Sequence, residues 1–319
     1  MGLYEEAEKF SVLGLQGYRF GLFVMLGMAA AAGVIAFLSW ARRMKKGTAP
    51  LLTLLSILLG GLFSRLFFCL MNQELGAMMP PASWLRITGG GWSMTGVVAG
   101  VMLAAWITSL ITRQPMSSLA DPAACALPAF MALERFGESG VPEFDFSRRL
   151  TTELLNGSFL TFGEYDGYYL ATWKLAGIVM LILLAVLILH MTRSRHEGDT
   201  CILFLILFGA VSVILESLRY DRFLSITFVG LQHVSAAVIL CVGVVLAACR
   251  YVSQERNGKG KKGIVPLAFG TVLAAAGIAV GLEFALDRTS WNALLVYAVY
   301  ILVMAVPAVM GILLLHKTK

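Results

Sequence analysis

Apolar stretches of about 20 residues, broken by short charged or glycine-rich segments, repeat along almost the whole chain. As a helix, a stretch of that length crosses the roughly 30 Å hydrocarbon core of a bilayer. The pattern predicts nine helices, at about Tyr18–Trp40, Leu51–Leu70, Met94–Ile111, Leu119–Gly137, Tyr169–Met191, Cys201–Leu218, Val229–Tyr251, Ile264–Ala285 and Trp291–His316. In the fourth, Asp121-Pro122 near the start and Pro128 inside predict a kink or break, because proline deletes a backbone hydrogen bond. Two polar stretches interrupt the series. Met71 to Gly91 is expected to lie at the interface, and Glu138 to Tyr169 to form an external cap.

Composition supports a polytopic, all-α integral membrane protein and excludes a pair of soluble domains. The chain is 58% hydrophobic and 14% charged, with a mean hydropathy of +0.80, values outside the globular range. The first run is too long for a signal-peptide core and precedes its basic cluster, so a retained helix is expected. The five cysteines fall in or at the ends of apolar runs with no CxxC pair, and the histidines form no zinc pattern. Neither a metal nor another cofactor is expected.

The formal charge of +6 reads as membrane topology and implies no nucleic-acid partner. Arg42, Arg43, Lys45 and Lys46 follow the first run, Arg113 the third, Arg193 and Arg195 the fifth, and Lys259, Lys261 and Lys262 the seventh. These loops alternate with acidic ones. The positive-inside rule then places the amino terminus outside and the carboxyl terminus in the cytoplasm.

Against that layout, MALERFGESG at Met131 to Gly140 puts Glu134, Arg135 and Glu138 at membrane depth. Each ionisable group there costs roughly 2.5 to 3.5 kcal/mol on insertion scales, so such groups face a cavity or a partner. Arg65 on helix 2 and Arg219 on helix 6 fall at the same expected outer level, as does the turn TGGGWSMTG before helix 3. Guanidinium forks bind phosphate oxygens bidentately, and a glycine-rich helix start adds N–H donors. One reading is therefore an anionic phospholipid site facing the outer leaflet. The other is that the arginines snorkel or pair with Glu138 and Glu216.

The order of these motifs resembles the prolipoprotein diacylglyceryl transferase family over roughly residues 10 to 250. FSRLFF carries Arg65 where the family has a small residue, Arg and hydrophobics. GGWSMTGVVAG, Gly90 to Gly100, parallels Gly-Gly-x-Ser-x-His-Gly-x-x-x-Gly. ERFGE, with Arg135 and Gly137, matches Gly-Arg-x-Gly-Asn in part. SVILESLR keeps the ending Glu-x-x-Arg as Glu216 and Arg219, and Gln232 matches a glutamine starting helix 7. The resemblance implies an inner-membrane enzyme that moves diacylglyceryl from phosphatidylglycerol, or another anionic phospholipid, to a prolipoprotein cysteine. Residues 1–250 would form its seven-helix core, with 138–169 as the cap and 264–319 as an added transmembrane hairpin.

The chain departs from the family at chemically important positions. Thr95 stands in place of the histidine, Glu138 in place of the signature asparagine, Ser212 in place of a helix 6 arginine and Phe20 in place of a tyrosine. Substitute bases for the thiol are then Glu138 and His233. Arg135 and Arg65 would hold the phosphate, Gly90, Gly91, Thr95, Gly96 and Gly137 would shape the site, and Glu216, Arg219 and Gln232 would brace it. The alternative is a noncatalytic lipid- or lipoprotein-binding paralogue.

Overall fold

The computed structural model describes residues 9–12, 15–71, 84, 91–140, 157–164, 167–194, 196–219, 225–226, 229–255, 263–289 and 291–316. Among them are nine α-helices: α1 (Arg19–Ala41), α2 (Thr48–Met71), α3 (Met94–Thr112), α4 (Met116–Gly137), α5 (Thr172–Arg193), α6 (Asp199–Leu218), α7 (Leu231–Glu255), α8 (Ile264–Arg288) and α9 (Ala293–His316). All nine are long and apolar enough to cross a membrane, and each lies within about one turn of its expected run. The protein is thus a polytopic helical membrane protein. Most of the expected interfacial loop and of the external cap lies outside the described residues.

Among the described residues, three short antiparallel hairpins were not anticipated: β1 (Lys9–Val12) with β2 (Leu15–Tyr18), β3 (Thr161–Glu164) with β4 (Gly167–Leu170), and β5 (Ser225–Ile226) with β6 (Val229–Gly230). They lead into α1, α5 and α7. Pairing lets the chain satisfy its backbone donors and acceptors just before entering an environment without water.

The helices form two compact units. One holds α1 to α5, the first turn of α6 and Arg219; the other holds the rest of α6 with α7 to α9.

In the first unit α4 is central, with α1, α3 and α5 packed against it and α2 packed on α3. It is the least apolar of the nine spans and the most buried. A helix enclosed by other helices need not present lipid-soluble side chains, so α4 can carry the small and polar residues Ser118, Ala123, Ala124 and Ala132. It runs as one unbroken α-helix through Pro122 and Pro128, so of the expected kink or break, the break does not occur. Surrounding helices hold such a segment despite the lost hydrogen bonds.

Close approach of α2 and α3 depends on the Gly96-x-x-x-Gly100 spacing. A Cβ on Gly96 or Gly100 would overlap the carbonyl oxygens of Phe63 and Leu59 respectively. Small residues four apart let two backbones pack directly, the usual basis of helix association in lipid.

Polar ties secure the end where α1 and α3 finish. Arg42 Nη2 donates to Met191 O at 3.0 Å, and Lys45 Nζ donates to Thr112 O at 2.9 Å. Cations at helix C-termini satisfy orphan carbonyls and oppose the dipole. Asp121 is fully buried in α4, yet its carboxylate accepts from Gly198 N at 2.9 Å and Cys201 N at 3.0 Å. It therefore caps α6 from another helix, with Arg42 Nη1 at 3.9 Å.

In the second unit α9 packs on α7 and α8. Tyr297 Oη donates to Ser217 O of α6 at 2.9 Å, and Gly311 lies against Ile206 and Val244. The five cysteines are all free thiols, three of them buried.

Candidate functional site: an ion cluster at the head of an apolar cleft

Although consecutive in sequence, α1 and α2 touch each other far less than each touches its main partner. Between them lies a half-enclosed cleft of about 410 Å³, floored by α3 and α4. On α1 it extends from Phe20 to Ile35, a rise of roughly 22 Å at 1.5 Å per residue. That exceeds the roughly 15 Å depth of one leaflet of hydrocarbon. The walls are almost wholly apolar, and among the described lining residues the one acid or base is Glu134.

Glu134 sits in the last turn of α4, next to Arg135 and one turn before Glu138. This spacing brings the three side chains together. Arg135 Nη1 donates to Glu138 Oε1, and Arg219 Nη1 donates to the same oxygen at 3.4 Å. Arg135 Nε lies 3.6 Å from Glu134 Oε2. Glu134 and Glu138 are both buried. The pairing reading of Arg135 and Arg219 is therefore realised through Glu138, which one guanidinium reaches from α4 and the other from beyond the end of α6.

Arg65 is 3% exposed. Its Nε donates to Trp84 O at 3.1 Å and its Nη1 to Gly91 O at 3.1 Å, while its guanidinium stacks over Phe68 at 5.6 Å. These contacts tie the start of the α3 segment to α2. Gly91 has φ +75°, and a Cβ there would strike the Phe68 ring, so the position admits only glycine. Ser93 reinforces the same junction: its backbone N–H donates to Ser64 Oγ at 3.0 Å, and its own Oγ caps α3 at Gly96 N.

The remaining sequence candidates fall in three groups. Thr95 lies in the first turn of α3, while Gly96 and Gly137 are points of close helix approach, Gly137 against Phe23 of α1. In the second unit, Gln232, with its amide turned to donate, reaches Glu216 Oε1 at 2.8 Å, and His233 Nε2 lies 3.4 Å from Glu283 Oε1 of α8. Gly90 lies outside the described residues. Sequence reasoning noted the charge of Glu134 but gave it no part in the site. The available signal was that this acid stands where the family signature has glycine.

These features define a polytopic membrane protein with a leaflet-deep apolar cleft that reaches the buried Glu134, next to the Arg135–Glu138–Arg219 ion cluster. The chain is similar to the prolipoprotein diacylglyceryl transferase family, which it matches over residues 8–144. A phosphatidylglycerol–prolipoprotein diacylglyceryl transferase from Symbiobacterium thermophilum is 28% identical over 177 residues, 53% of this chain and 64% of that protein. Its namesakes from Pasteurella multocida and Bacillus licheniformis are 27% and 23% identical, covering 65% and 73% of this chain and 74% and 88% of their own lengths. The chain thus spans less than two thirds of the first of these relatives.

Proposed function

We propose that the chain is a membrane transferase that takes a diacylglyceryl group from a glycerophospholipid and passes it to a lipoprotein thiol; the relatives' names give phosphatidylglycerol and prolipoprotein as their own substrates. The observation that carries this reading is the cleft, deep enough for acyl chains and reaching Glu134, whose carboxylate lies 3.6 Å from Arg135 Nε. In the reaction, a lipoprotein cysteine sulfur attacks the glycerol carbon bonded to phosphate. A C–S bond forms, the C–O bond breaks, and the head-group phosphate leaves with the electron pair. Arg135 and Arg219 would stabilise that phosphate. Arg65 would hold Gly91 and the start of α3 in place. Glu138 and His233 stand as the proposed acceptors of the thiol proton, and the remaining sequence candidates keep their proposed shaping and bracing roles. The termini are proposed to lie outside (amino) and in the cytoplasm (carboxyl) of a bacterial inner membrane, with 264–319 added to a 1–250 core.

The test is to incubate purified protein with bacterial phospholipids and a lipobox peptide, then weigh the peptide. A diacylglyceryl adduct on the cysteine, lost in Arg135→Ala, is expected. No adduct, with phospholipid still co-purifying and lost in Arg135→Ala, would assign the noncatalytic binding role instead.

A further inference from the structure

The second unit carries an open groove of about 460 Å³ between the first turn of α6 and the last turns of α7, lined by Ile202, Leu246, Arg250 and Ser253. Leu246, Arg250 and Ser253 stand four and three residues apart, so they share one face of α7. Ile202 and Leu246 give the groove apolar walls, and Arg250 and Ser253 give it polar ones. Among the described residues no carboxylate lines it, and its formal charge is positive. The chain from Arg250 to Lys262 continues that sign, with five basic residues against Glu255 alone. On the positive-inside reading, this end of α7 lies in the cytoplasm.

The same face of α7 stays open along the span. Val238, Val242 and Leu246, at four-residue spacing, are all exposed. From Val238 to Leu246 the row rises about 12 Å, most of the roughly 15 Å of hydrocarbon in one leaflet. An anionic lipid fits both parts, with an acyl chain along the row and its phosphate at Arg250 and Ser253. Guanidinium-to-phosphate hydrogen bonds are charge-assisted, and five N–H donors let Arg250 keep a protein partner while presenting others to the phosphate. A soluble phosphate ester would meet the polar half alone, and a zwitterionic head group would bring an ammonium up to Arg250. We infer that this groove binds an anionic glycerophospholipid of the cytoplasmic leaflet, a second lipid site that is independent of any transfer chemistry in the cleft.

The test uses the full chain in detergent, titrated by native mass spectrometry with phosphatidylglycerol and phosphatidylethanolamine of the same acyl composition. Arg250→Ala should weaken one phosphatidylglycerol binding event about tenfold, the scale of a hydrogen bond to a charged group. That event should persist in Arg135→Ala, and Arg250→Lys, which keeps the charge, should recover part of the loss. Ser253→Asp, at an exposed position, sets a negative charge in the groove and should weaken the same event, so the result stands if Arg250→Ala fails to fold. Phosphatidylethanolamine should show no event that depends on Arg250. Soluble glycerol 3-phosphate should fail to displace the lipid from the Arg135→Ala protein; displacement would assign the groove to a free phosphate ester and overturn the lipid assignment. Phosphatidylglycerol binding unchanged in both Arg250→Ala and Ser253→Asp, or an equal loss of both lipids, would overturn the groove as an anionic-lipid site. The lipobox-peptide adduct should still form in Arg250→Ala, so this site and the transferase reading fail separately.

Discussion

Arg135 was legible in the sequence because a charge inside an apolar run is conspicuous; how it is held was not. That depends on Arg219, far along the chain, converging on the same oxygen of Glu138. Removing Arg135 leaves Glu134 and Glu138 buried with half the cation charge, so Arg135→Ala should lose at least about tenfold of co-purifying phospholipid. Phosphorus analysis of the purified protein reads this directly. Asp121 was misjudged for a similar reason. Beside Pro122 it read only as part of a kink or break signal, yet its hydrogen-bond partners lie on Gly198 and Cys201. Asp121→Ala leaves those two buried N–H groups without their acceptor, and about 1–3 kcal/mol of stability should go with each unsatisfied group. A lowered thermal midpoint in detergent would report it, whereas Asp121→Asn, which keeps an acceptor, should lose less.

At the scale of elements, the nine helices follow from run length alone, because lipid leaves the backbone few alternatives. The hairpins before α1, α5 and α7 did not show. Strands of two to four residues are too short for a period-2 pattern to stand out. The Gly96 and Gly100 pair was visible as a spacing, with Gly96 alone read as shaping a ligand site, and the structure packs both against the α2 backbone. Gly100→Leu must therefore push the helices apart where the Leu59 carbonyl now sits. Overpacking of this kind costs typically 1–3 kcal/mol, and unfolding in detergent should shift accordingly. Gly33, which has open space around a Cβ, should accept alanine without such a shift.

For the whole molecule, the basic loops predict a topology that reporter fusions can check. A fluorescent protein joined after His316 should fluoresce in the cytoplasm, and alkaline phosphatase joined after Ser139 should be active outside. The reverse pattern would place the ion cluster on the cytoplasmic leaflet. The final hairpin also does more in the second unit than its distance along the sequence suggested, since Glu283 faces His233 and Tyr297 bonds to Ser217. Tyr297→Phe should cost about 1 kcal/mol, the net worth of one hydrogen bond, again read from thermal unfolding. The sparse contact between α1 and α2 has a kinetic corollary. A ligand that enters between two spans travels in the plane of the bilayer and never crosses water, so its effective concentration is a mole fraction of the surrounding lipid. Diluting the donor with inert lipid at constant bulk concentration should then slow turnover in proportion, while diluting the vesicles in buffer should not.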